Sequence, residues 1–164
     1  MNNVIFENAK AVALELGLNI DDFKDTRVVN GGVLFTSSEP KMGDGISFNG
    51  FIVGEDNSFL PCTSSYPVEH YVERFENGDK HTIVTNTNSY KEILRKIEEL
   101  PFDTESCIAD LIGYKPEMGI VDPMTQGHIH RTVEKECKRR GYTLVRTSDS
   151  FGGLAYYYKF KKTK

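Results

Sequence analysis

The chain has 164 residues, 38% hydrophobic and 27% charged, which is enough to bury one sizeable core or two small ones. No apolar run approaches the roughly 18 residues needed to cross a bilayer, and the first residues lack a basic-then-apolar signal pattern, so a soluble, cytoplasmic protein with no membrane partner is expected. Cys62, Cys107 and Cys137 are odd in number and widely spaced, which excludes a disulfide framework or a CxxC pair and suits a reducing compartment.

The formal net charge of -4 conceals a division along the chain. Residues 1–122 carry 10 Lys or Arg against 21 Asp or Glu, whereas residues 123–164 carry 10 against 3. Such asymmetry points either to two surfaces with different partners or to attraction between the two parts of the chain.

Ile5, Ala9, Val12 and Leu16 recur at helical spacing, and Gly17 stands where a left-handed cap belongs, giving an amphipathic opening helix. After the polar LNIDDFKDT come RVVNGGVLFTS, ISFNGFIVG and SFLPCTS, rich in β-branched and aromatic residues and separated by turn-forming EPKMGDG and EDN. An antiparallel β-meander is expected, with Pro61 confining the last strand to an edge or a bulge. The glycines of MGDGISFNG match no phosphate-binding spacing and read as a hairpin turn.

In SSYPVEHYVERF, Pro67 starts a helix on which Val68, Tyr71, Val72 and Phe75 form one apolar stripe, to be buried against the meander. Glu69, His70 and Glu73 form its polar side. No second dedicated ligand accompanies them, so a solvated face is the better reading than a metal or acid/base site. The segment from GGVLFTSS to FENG resembles the immunity protein 35 family of small bacterial proteins, through Asn49, Gly50, Ile52, Val53, Ser65, Pro67, Val68, Glu69, Tyr71, Val72 and Phe75. That resemblance spans roughly residues 5–77. It implies a non-catalytic α+β domain, associated with toxin neutralisation or conflict involving bacteria or phage, and makes Glu69 and Glu73 candidate contacts to a toxin or defence enzyme.

Asn77-Gly78 and TNTNS flank a short HTIVT strand, dividing the chain into an immunity-like domain, 1–85, and a second domain, 86–164. Ser89 and Glu92 make a capping box for a helix carrying Ile93, Leu94, Ile97 and Leu100 and ended by Pro101. Asp103 or Thr104 can cap a shorter helix with Ile108, Leu111 and Ile112, closed by Gly113. Asp122, Pro123 and Thr125 open a third helix that runs to Arg140. YTLVRT and LAYYYKF then alternate as two strands around a turn at Gly152-Gly153.

At 100° per residue, Ile129, Val133 and Cys137 of the third helix share an inward face. Arg131, Lys135, Lys138 and Arg139 gather on the opposite side with His128 and Thr132. His128 and His130, at i and i+2, point about 200° apart and cannot share an ion. Three helices followed by a hairpin resemble a winged helix, in which the third helix enters the major groove of double-stranded DNA. Arg131, Lys135 and Arg139 would then reach phosphates or base edges, Arg146 and Lys159 the flanking backbone, and the exposed Tyr157 a base; the tail KFKKTK adds charge. Cys107 and Cys137 fall on apolar faces as core thiols. No grouping of nucleophile, base and orienter and no metal-ligand spacing stands out, so no catalytic residue, metal or cofactor is expected.

The expected protein is therefore α+β: an N-terminal helix, a meander and a packing helix, then a three-helix and hairpin unit. Two functions follow, a non-catalytic immunity or inhibitor protein that blocks a protein partner, or a winged-helix DNA-binding regulator or phage accessory protein.

Overall fold

A computed structural model describes residues 2–119, 121–148 and 154–164. The chain is α+β and divides into two compact units, Met1–Ile83 and Val84–Lys164, so the first ends two residues ahead of the expected boundary. No described helix is long and apolar enough to cross a membrane.

Helix α1, Asn3–Leu16, is capped by the Asn2 side chain, which accepts from the Ile5 amide. It ends at Gly17, whose φ of 72° is open to glycine at little cost. A five-stranded antiparallel sheet follows in the order β1-β2-β3-β4-β5: Asp25–Val29, Gly32–Gly43, Ile46–Gly54, Ser58–Thr63 and His81–Thr82. RVVNGGVLFTS, expected as one run, is two strands, because Asn30-Gly31 folds it back to pair Val29 with Gly32. Strand β5 covers only Ser58 and Phe59 of β4, so Pro61 lies at an open edge where its missing donor costs nothing.

Alternation on β3 fills two cores. Phe51 and Val53 join Phe35 and Phe59 against Ile5, Ala9 and Val12 of α1. Ile52 joins Leu34, Leu60 and Cys62 against Tyr71, Val72 and Phe75 of α2, Val68–Glu76. The helices thus cover opposite faces of one sheet, and fully buried residues such as Phe51, Ile52 and Phe75 each contribute about 1.5–3 kcal/mol by leaving water. Asn49-Gly50 is no turn. It sits where the β3–β4 register shifts, and a Cβ on Gly50 would come within 2.1 Å of the Phe35 carbonyl oxygen, so only glycine permits this approach of strands.

The second unit runs α3 (Asn88–Glu99), β6 (Glu105–Cys107), α4 (Ile108–Ile112), α5 (Pro123–Arg139), β7 (Thr143–Arg146) and β8 (Lys159–Thr163), with sheet order β6-β8-β7. The expected three helices and late pair of strands are present, and β6 adds a third strand beside β8. Thr87 rather than Ser89 caps α3, its hydroxyl accepting from the Tyr90 amide. The cap expected at Asp103 or Thr104 is replaced by strand β6. Asp103 turns left-handed, with φ of 61°, and its amide donates to the Lys162 carbonyl at 2.8 Å, which steers Glu105–Cys107 alongside β8. Ile93 and Ile97 of α3, Ile108 of α4, Ile129, Val133 and Cys137 of α5, and Leu144 and Phe160 of the sheet share one core. The expected Gly152-Gly153 turn lies outside the described residues.

Candidate partner and nucleic-acid interfaces

Helix α5 starts with Asp122 as its cap, accepting from the Thr125 amide at 3.1 Å, and Pro123 in the first turn. Burial of Gln126, Ile129, Val133 and Cys137 orients it. Of the expected basic face, Arg131 and Lys138 are exposed and hold no ion pair among the described residues, while Lys135 and His128 are half-buried. Arg131 and Lys138 are seven residues apart, so they lie on one stripe about 10 Å in length. Met124, a further seven residues back and 83% exposed, extends that stripe; its spacing from Arg131 was the sequence signal for it.

Several expected contacts are otherwise engaged. Thr132 is 1% exposed and its hydroxyl donates to the His128 carbonyl at 2.9 Å, so it is a packed core residue rather than a surface contact. Arg139 pairs with Glu136 at 3.0 Å, and Lys159 approaches Glu105 at 3.8 Å. Arg146 donates to Glu134 at 3.1 Å and lies 4.6 Å from the centre of the Tyr158 ring. Residues Ala155–Tyr157 form a 3-10 turn instead of strand, which breaks the expected alternation. Tyr157 is half-buried 6.4 Å from the Tyr114 ring, and Tyr158 lies half-exposed under Arg146 rather than in the core.

His130 is 1% exposed, with Nδ1 2.9 Å from a Glu134 oxygen, an ion-pair distance without the alignment of a hydrogen bond. Burial works to raise the Glu134 carboxyl, but His130 and then Arg146 outweigh it and hold the group below its ordinary value of 4.5. The last lysines are not all surface charge either. Lys162 is 4% exposed and points inward with Phe160.

In the first unit, Lys10, Arg27, Lys41, Arg74 and Lys80 each hold a carboxylate, from Glu7, Glu69, Glu39, Asp79 and Asp56. The unit has 6 Lys or Arg against 13 Asp or Glu, so matching leaves a surplus of acid; Asp21, Asp22, Asp25 and Glu73 are exposed and hold no ion pair among the described residues. Glu69 meets Arg27 at 2.7 Å, and Glu76 accepts from the Asn30 amide at 3.1 Å. Glu73 falls between them on the same helix stripe, so the row Glu69, Glu73, Glu76 runs beside β1. His70 does not face this row as a ligand, since its ring stacks on Tyr66 with centres 4.5 Å apart.

A concavity of about 560 Å³ is lined by Ile5, Val28 and Val33 together with Glu55, Asp56 and Lys80. Among the described residues, no group of three or more His, Cys, Asp or Glu is placed to hold a metal. Burial pushes the Cys62 thiol up to about 12 and the Cys137 thiol up to about 11, so both stay protonated at neutral pH. No protein-family model, curated protein or solved structure matches the chain.

Proposed function

We propose that the chain is a cytoplasmic, non-catalytic conflict protein of the immunity or inhibitor type, bacterial or phage, whose acidic first unit binds and blocks a basic protein partner, a toxin or a defence enzyme. The observation that carries this is the surplus of exposed carboxylates left after five of six cations are paired, gathered along α2 and the approach to β1. An uncompensated acidic surface speeds encounter with a basic one and occludes a site built to bind nucleic acid. The resemblance to immunity protein 35 supports the same reading. Co-expression of the full chain with the product of the adjacent gene tests it. The wild-type chain restores growth while the Asp25→Asn, Glu73→Gln, Glu76→Gln triple variant does not; equal protection by both, or none by either, would sink the proposal.

The resemblance of the second unit to a winged helix, with Arg131 and Lys138 exposed on α5 and without an ion pair among the described residues, favours a second reading, contact with duplex DNA. It requires salt-dependent binding to a random-sequence duplex, and absence of a complex at low salt removes it.

A further inference from the structure

Strand β1 is one of the two edge strands of its sheet. Its two-residue link to β2 makes Val29 and Gly32 a hydrogen-bonded pair, so by alternation Asp25, Arg27 and Val29 turn their main-chain groups towards β2. Thr26 and Val28 turn theirs outward, where no other described strand pairs with them. The next outward amide, that of Asn30, is already taken by Glu76. Edge strands are commonly blunted by lysine, proline or a bulge, yet this one carries none of these and Val28, next to its end, stands 83% exposed.

The two faces of β1 differ in chemistry. Val28 pairs with Val33 on the α1 side, and both line the concavity with Ile5, beside Glu55, Asp56 and Lys80. Arg27 lies on the α2 side, where the row Glu69, Glu73, Glu76 supplies three carboxylates against one guanidinium. A strand laid along Thr26–Val28 would present alternate side chains to an apolar hollow and to a line of acid.

We propose that the open edge of β1 is a docking site for an extended segment of another protein in which apolar and basic residues alternate, added as a sixth strand. This rests on the partner-binding reading above and specifies its mode. A second copy of the chain is the poorer occupant, because its first unit would bring the same excess of 13 acidic over 6 basic residues to the contact.

Amide hydrogen exchange of the full chain, with the capped peptide Lys-Val-Lys-Val-Lys-Val-Lys as probe and Glu-Val-Glu-Val-Glu-Val-Glu as control, tests the proposal. The basic peptide should slow exchange at Thr26 and Val28 at least tenfold and the acidic one should not. Val28→Pro removes an outward donor, which an edge strand tolerates, and should abolish the slowing at Thr26; Thr26→Pro keeps the Val28 side chain and should abolish the slowing at Val28. Salt-sensitive binding that leaves both amides unprotected, or that survives both proline variants, overturns the edge while leaving the acidic-surface reading standing. Lack of binding by any basic peptide overturns both, and slowing that grows with protein concentration alone would assign the edge to self-association instead.

Discussion

The Lys162 ammonium lies 3.1 Å from the Leu100 carbonyl oxygen, at the end of α3, and also donates to the carbonyls of Ile97 and Glu98 at 3.1 and 3.2 Å. The rings of Tyr142 and Phe102 stand 4.7 and 4.8 Å from the same nitrogen. One charge from the final strand thereby satisfies the orphan acceptors and the negative dipole end of the first helix of its unit. Replacing it by an apolar side chain of similar length strips one buried and two part-buried acceptors of a donor. Lys162→Met is expected to cost about 2–4 kcal/mol in chemical denaturation of the second unit, whereas exposed Lys161→Met stays within about 0.5 kcal/mol.

Two glycines are expected to respond to alanine with opposite sign. At Gly50 the new Cβ collides with backbone, the Phe35 carbonyl at 2.1 Å, and the β2–β3 pair must part, costing about 2–3 kcal/mol. At Gly127, inside α5, it meets only the end of the Arg131 side chain at 3.5 Å, so Gly127→Ala should gain up to about 1 kcal/mol of helix stability. Thermal melts of the two variants check both signs.

The acid limb of stability should depend on Glu134. Its folded value is depressed below 4.5, so its contribution is complete above that pH and is lost as pH falls through the lower folded value. Glu134→Gln is therefore expected to weaken the protein at neutral pH and to flatten the loss between neutrality and strong acid. Denaturation midpoints measured across that range would show a parallel loss if the carboxylate were unimportant.

If α5 meets DNA, the structure ranks its cations. Arg131→Ala and Lys138→Ala should each reduce the slope of log affinity against log salt by about 1, as expected of a lost phosphate contact. Thr132→Val should leave the slope unchanged, because that hydroxyl is spent on the His128 carbonyl. Arg146→Ala should lower stability more than affinity, because its guanidinium is engaged by Glu134 and Tyr158.

Much of the architecture was legible in the sequence because it rests on local physics. Periodicity marked α1, α2, α3 and α5, although the cap of α3 is Thr87 and not Ser89, and β-branched runs marked the meander. What stayed hidden depends on contacts distant in sequence. Glu105–Cys107 becomes a strand only because β8 returns beside it, whereas the Asn30-Gly31 turn is local and carries its own hairpin signature. The basic face was read from helix geometry, but a helical wheel cannot show that Glu134 recruits Arg146 or that Thr132 is packed away. Glu69 and Glu73 were legible as exposed acids. Their alignment with an unpaired edge strand was not, since it needs the tertiary placement of α2 over β1.

The acidic first unit as a partner-binding surface is tested most directly by the association rate of the full chain with the adjacent-gene product, measured as a function of ionic strength. The rate constant is expected to fall steeply with salt and, at low salt, to drop about tenfold in the Asp25→Asn, Glu73→Gln, Glu76→Gln variant. A rate constant insensitive to both salt and these three substitutions would contradict the account.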